Sequence, residues 1–194
     1  MLLVALLQGC RPPRDSHPAP LRVGIEPIEA PRIEPYDLEL LENLPESQQW
    51  ALNTRMRGAF QYNTRDYIVR VWSSGDEALV VGSTLGFFCE VTPKPNTAPL
   101  GVAIATCAIQ KVRGPFALAG QAQLRFEPHP LEPGRLLAVC ENLFPDPQNP
   151  KRGAIKEEGR YTYTVTFQLP DGENITYSRW LLCCYLRGSC GEEQ

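Results

Sequence analysis

Seven cysteines are the residues most ready to do chemistry in this 194-residue chain. Cys89, Cys107, Cys140, Cys183, Cys184 and Cys190 are enough for three disulfides, with a connectivity that sequence alone leaves open. Cys89, Cys107 and Cys140 each sit in an apolar run, where a disulfide would cross between strands. Cys183 and Cys184 are neighbours on a predicted strand, so they point to opposite faces and need different partners, Cys190 being a candidate for one. A zinc site needs four ligands, and Cys183, Cys184 and Cys190 lack both the usual spacing and a nearby histidine. Structural disulfides are therefore expected, with no metal and no cofactor. Disulfides persist in oxidising compartments, so the cysteines also favour an exported protein.

Other chemistry is thinly provided. The chain has only two histidines, His17 and His129. His17 falls in a proline-rich stretch and His129 lies between two prolines, so neither is placed to activate a nucleophile, and both are read as solvated loop residues. Glu127, Glu132, Glu141, Glu157 and Glu158 could supply the carboxylate pair of a glycoside hydrolase, but no pattern singles them out from surface carboxylates. Trp72, Tyr161, Tyr163, Tyr177 and Trp180 could bind sugar or peptide if a sheet exposed them; aromatics of this kind more often lie in or half in a core. Asn174-Ile175-Thr176 is a glycosylation sequon for a eukaryotic host. No phosphate-cradling glycine loop is present. A formal charge of -3, from 19 basic and 22 acidic residues, argues against a nucleic-acid partner.

The elements that must position these residues follow from the pattern. The chain opens with an apolar stretch ending at Cys10, read as the remnant of an export signal over residues 1–10. Seven prolines between residues 11 and 35 make an extended, semi-rigid tether, in which Arg22–Glu26 could form an edge strand. Residues 36–60 are the one helical segment, read as two short helices or one helix kinked at Pro45. From Asp66 the chain is β-rich. Gly82 and Gly86 divide the run Ala78–Val91 into two strands or a bulged one. Leu136–Cys140 reads as a buried strand, and residues 145–159 as a loop.

The clearest element is the last hairpin. Tyr161, Tyr163, Val165, Phe167 and Leu169 alternate with Thr162, Thr164, Thr166 and Gln168, which gives one buried and one wet face. Pro170-Asp171-Gly172 turns the chain back. The return strand, Asn174–Leu182, shifts its apolar phase between Tyr177 and Trp180, which predicts a bulge near Arg179. About seven strands at spacings of about ten residues predict an antiparallel β-sandwich, forming a single domain over residues 36–194.

Two resemblances add to this reading. Leu7-Gln8-Gly9-Cys10 resembles the lipobox of bacterial lipoproteins, which implies cleavage before Cys10, a lipid on its sulfur and membrane attachment. Cys89-Glu-Val-Thr-Pro-Lys-Pro-Asn, Cys107, Cys140 and the tail Cys183-Cys184-Tyr-Leu-Arg-Gly-Ser-Cys190-Gly191 are somewhat similar to the second half of a zona pellucida module. That family is an extracellular β-sandwich of polymerising egg coats and receptors. Its cysteine spacing differs here, and the resemblance is not adopted as the reading. The expectation is a lipid-anchored or secreted β-sandwich at an outer membrane, a periplasmic face or a cell surface. It would bind another envelope or extracellular protein. An enzyme, such as a carbohydrate hydrolase, is the alternative.

Overall fold

The computed structural model describes residues 26–30, 36–55, 59–75 and 78–185. Cys10, Cys190 and most of the proline-rich segment lie outside the described residues. The fold is mainly β, with two packed sheets and two short helices. The six-stranded sheet runs β1 (Ile28–Glu29), β2 (Phe60–Asn63), β3 (Tyr67–Ser73), β5 (Phe87–Pro93), β9 (Leu136–Cys140) and β8 (Glu127–Pro128) in spatial order. The five-stranded sheet runs β4 (Leu79–Val80), β13 (Asn174–Cys184), β12 (Gly159–Gln168), β6 (Val102–Lys111) and β7 (Ala117–Arg125). Pairing is antiparallel throughout except between β4 and β13.

The strand count exceeds the expected seven because short pairings extend the sheets. β1 adds a strand from inside the predicted tether, with Ile28 opposite Gln61; residues 22–25 of the edge strand expected there lie outside the described residues. Residues 145–159 are not merely a loop: β10 (Pro145–Asp146) and β11 (Asn149–Gly153) form a small ribbon. The glycine-divided run forms β4 and β5 as separate strands, with Gly82 at φ +79°.

Alternation explains the core. Along β6 and β12 every second residue is buried, so one face of each strand meets the other sheet. Phe87 of the six-stranded sheet meets Phe167 and Tyr177 of the five-stranded sheet, with ring centroids 6.4 and 5.6 Å apart. The final hairpin forms as its sequence predicts. Gly172 takes φ +85°, a conformation open to glycine at little cost, and its N–H donates to the Leu169 carbonyl at 2.9 Å.

The bulge near Arg179 does not form. β12 and β13 stay in register from Gly159 opposite Cys183 to Gln168 opposite Asn174. The apolar phase breaks because an arginine occupies an inward position while a tryptophan faces out. The Arg179 guanidinium lies 4.1 Å from the centroid of the Phe60 ring, where the ring face offsets part of its desolvation.

The helices cover the far side of the six-stranded sheet. α1 (Leu38–Glu42) and α2 (Glu46–Thr54) flank Pro45, and the Pro45 carbonyl accepts the N–H groups of Gln48 and Gln49 at 2.9 and 3.0 Å. Helices this short are marginal alone and depend on packing. Leu41, Ala51 and Leu52 supply it, forming a second buried cluster with Trp72, Phe88 and Leu137. Trp50 lies edge-on to Phe88 at 5.2 Å and against Gly86, where a Cβ would come within 2.6 Å of the indole. A side chain at Gly86 would force the Trp50 and Phe88 rings to shift. Among the described residues no helix is long and apolar enough to cross a membrane.

Candidate functional site

The densest gathering of chemically capable side chains lies beneath α2, on the covered face of the six-stranded sheet. β3 and β5 pair with Arg70 opposite Glu90, and β5 pairs with β9 with Glu90 opposite Leu137. Alternation puts Glu90 on the same face as Phe88, under the helices. There its carboxylate is buried and encircled by arginines. Oε1 accepts from Arg135 Nη1 at 2.8 Å and Arg70 Nη1 at 3.2 Å, and Oε2 accepts from Arg55 Nη1. Arg55 comes from the C-terminus of α2, and its second nitrogen reaches Glu132 Oε1 at 3.1 Å. Glu132 is also held by Arg135 and by the Tyr36 hydroxyl. Arg55 stacks over the Tyr36 ring, 5.0 Å from its centroid.

His129 completes the group. It is almost wholly buried, which corrects the expectation of a solvated loop histidine. Between Pro128 and Pro130 the loop folds so that Nδ1 accepts the backbone N–H groups of Leu131 and Glu132 at 3.2 and 2.9 Å. Nδ1 is therefore unprotonated, and the ring proton sits on Nε2. Nε2 has no hydrogen-bond partner and lies 3.9 Å from Glu90 Oε2. Burial lowers the His129 pKa, against the pull of Glu90 and Glu132, so the ring is neutral at pH 7. Burial alone would raise the Glu132 carboxyl, but the Tyr36 hydrogen bond with Arg55 and Arg135 outweighs it and lowers the pKa. Burial, with the bond to Glu132, raises Tyr36 well above its usual value.

Glu90, His129 and Glu132 have ligand atoms within 4.8 Å of one another, a spacing that could suit a metal ion. The donor chemistry does not. A metal-ligating Nε2 requires the proton on Nδ1, where two backbone amides already donate. Both carboxylates are matched by three guanidiniums, which would repel a cation. Glu132, with its carboxyl lowered, is not suited to act as a general acid, which needs a raised pKa. The cluster is a clamp: it ties Tyr36 and α2 to β3, β5 and the β8–β9 loop. Sequence reasoning left Arg55, Arg70, Glu90 and Arg135 unread. The available signal was a single charge inside each of two apolar runs, Arg70 in Tyr67–Trp72 and Glu90 in Phe87–Val91.

The predicted site residues scatter. Glu127, Glu141, Glu157 and Glu158 are exposed and stand apart from the cluster, and only Glu132 joins it. Trp72, Tyr161, Tyr163 and Tyr177 are core residues, with the Trp72 indole donating to the Ala51 carbonyl at 2.9 Å. Trp180 alone of the five is on the surface, 63% exposed. Asn174 sits in a paired strand opposite Gln168.

The cysteines also depart from expectation. Cys89, Cys107, Cys140 and Cys183 are free thiols, because they are distributed through the inter-sheet core rather than brought together as a full disulfide set. Cys184 is disulfide-bonded. Burial pushes Cys107 and Cys183 up to about 12 and raises Cys89 and Cys140. Such thiols hold little thiolate at neutral pH and are poor catalytic nucleophiles.

The outer face of the five-stranded sheet differs from all of this. β6, β7, β12 and β13 contain no Asp or Glu, and their charged residues are Lys111, Arg125, Arg160 and Arg179. Arg125 and Arg160 stand at strand ends, whereas Lys111, opposite Tyr161 and over its ring, and Arg179 turn to the inner face. Thr106, Thr166 and Thr176 form one row across three strands, next to Thr164 and Ser178. The hydroxyls of Thr164 and Ser178 lie 3.0 Å apart. Val102, Ile104 and Trp180 mark the two ends of this face and are half or more exposed.

Compared with known proteins, the chain matches no family model, no curated protein and no solved structure.

Proposed function

We propose that this chain is an exported, lipid-anchored β-sandwich that serves as a binding or structural module at a cell envelope or surface, docking another protein on the outer face of its five-stranded sheet. The observation that supports this reading most is the composition of that face. It has an uncharged centre of Thr, Ser, Ala and Gln, a rim carrying Arg125 and Arg160, and exposed apolar residues at both ends. Depletion of charge at the centre with charge at the rim is how protein interfaces are built. A sugar-stacking platform is less well supplied, because four of the five candidate rings are in the core. Attachment rests on the lipobox-like Leu7–Cys10.

A photoreactive residue placed at Ser178 in the full chain, expressed in its host, tests the docking face. A control probe goes at Lys151, which is exposed on the β10–β11 ribbon. A discrete adduct is expected from Ser178 and not from Lys151, and Thr106→Lys should abolish it. Equal adducts from both sites, none from either, or an adduct removed by glycosidase digestion would overturn the reading. Cys10→Ser should move the protein to the soluble fraction; retention on the membrane would overturn the anchor.

A further inference from the structure

All four free thiols border the inter-sheet core, and two of them are brought toward each other by the crossing of β7 and β9. Cys107 is on β6, fully buried, with its Sγ 3.8 Å from the Ala105 carbonyl oxygen. Cys140 ends β9. On that strand Leu137 and Val139 pack toward the helices, whereas Ala138 and Cys140 pack into the inter-sheet core that contains Cys107. The chain between the two sheets explains why they approach. β7 leaves the five-stranded sheet at Phe126, whose N–H donates to the Gly101 carbonyl at 2.8 Å, and continues as β8, which pairs with β9. This brings β7 against β9 as well as against β6. The residue opposite Cys107 on β7 is Gly120, with open space where a Cβ would be.

Each remaining free thiol has different neighbours. Cys89 lies between Val71 and Ala138 in the register of the six-stranded sheet, and Cys183 lies opposite Gly159 at the far edge of the other sheet. Of the four, Cys107 alone feels another of these thiols electrostatically: the charge of Cys140 adds to burial in raising it. Cys140 is also the one of the four that is not fully buried.

We propose that Cys107 and Cys140 are a reversible oxidation site, closing an inter-sheet disulfide by exchange with a small-molecule disulfide such as oxidised glutathione. The Cys140 thiolate attacks the glutathione disulfide, forming a Cys140–glutathione mixed disulfide and releasing one glutathione thiolate. Cys107 loses its proton to solvent and attacks Cys140 Sγ, releasing the second glutathione. Two protein thiols are oxidised by two electrons and one glutathione disulfide is reduced to two thiols. Both thiols lie above their usual pKa, so exchange should be slow at pH 7 and speed up toward pH 9.

The test incubates the native full chain with oxidised glutathione at pH 8.5 and maps it by non-reducing peptide mass spectrometry. A Cys107–Cys140 linked peptide is expected, with Cys89 and Cys183 still alkylatable once the chain is unfolded. Cys107→Ser should stop at the Cys140–glutathione adduct. Cys140→Ser should take up at least tenfold less glutathione than Cys107→Ser. Urea-unfolded protein under the same oxidant should give mixed pairings, which identifies the native selectivity as a property of the fold. A wild-type protein that stops at the mixed disulfide, links either cysteine elsewhere, or leaves both free would overturn the proposal.

Discussion

The two outer faces of this sandwich are built on opposite plans. The six-stranded sheet turns its outer face to α1 and α2 and buries charge there, with Glu90 and Glu132 matched by Arg55, Arg70 and Arg135. The five-stranded sheet leaves its outer face open and keeps charge off its centre. The difference lies in what each face costs when exposed. Trp72, Phe88 and Leu137 project from the first face and need a cover, whereas threonine, serine and glutamine on the second are solvated as they stand. A covered face can use ion pairs as fasteners, because low dielectric strengthens them once desolvation has been met. An open face gains little from such pairs, and an uncharged one remains available for contact.

The largest expected effect is on the covered face. Arg55→Met removes a guanidinium shared by two carboxylates, leaving Glu90 and Glu132 short of a partner. Breaking a buried pair in this way costs about 3–5 kcal/mol, read as a lowered urea midpoint. A loss below about 1 kcal/mol would mean the clamp does not fasten the helices. An effect of similar size is expected within the other sheet for Phe167→Ala, about 3–5 kcal/mol, since Phe167 packs on Phe87 in the core. Thr166→Ala, one residue away on the outer face, should stay within about 0.5 kcal/mol. Equal losses would mean the inner and outer faces of β12 are wrongly assigned.

A smaller effect comes from pH and separates the faces by charge alone. The His129 pKa is lowered by burial from its usual 6.5. The unfolded chain therefore takes up a proton near pH 6.5 that the folded chain refuses. Stability contributed by the neutral ring is present above pH 6.5 and is lost as pH falls toward the folded pKa. Glu132, lowered from 4.5 by Tyr36, Arg55 and Arg135 against burial, acts in the same direction: its contribution is present above pH 4.5 and lost in more acid solution. Urea melts should weaken from pH 7.5 to 5, and His129→Asn, which keeps an acceptor near Nδ1, should flatten that stretch. An unchanged slope in the variant would contradict the buried neutral histidine. The smallest effect is expected on the open face, where Ile104→Ser should change stability by no more than about 0.5 kcal/mol.

How far the sequence revealed this molecule depends on the range of the interactions involved. Strand alternation, the break at Pro45 and the turn at Gly172 are local, and residues 160–182 carried their own hairpin in plain view. The phase break at Trp180 was also visible, but it means an outward ring and an inward arginine rather than a bulge, a distinction that depends on Phe60 more than a hundred residues away. The clamp is wholly long-range. Arg55, Arg70, Glu90, His129, Glu132 and Arg135 come from α2, two strands and a loop, and only the register of β3 with β5 shows that Arg70 and Glu90 are opposite one another. The thiols were legible as buried but not as free, because pairing depends on which sheet each strand joins.

The claim that one outer face holds the fold together while the other is kept free for contact is tested most directly by adding or removing one charge on each. Urea unfolding of Glu90→Gln and Thr106→Lys, measured side by side at pH 7.5, supplies the comparison. Glu90→Gln should lose about 3–5 kcal/mol and Thr106→Lys no more than about 0.5 kcal/mol. Comparable losses, or a larger one from Thr106→Lys, would contradict it.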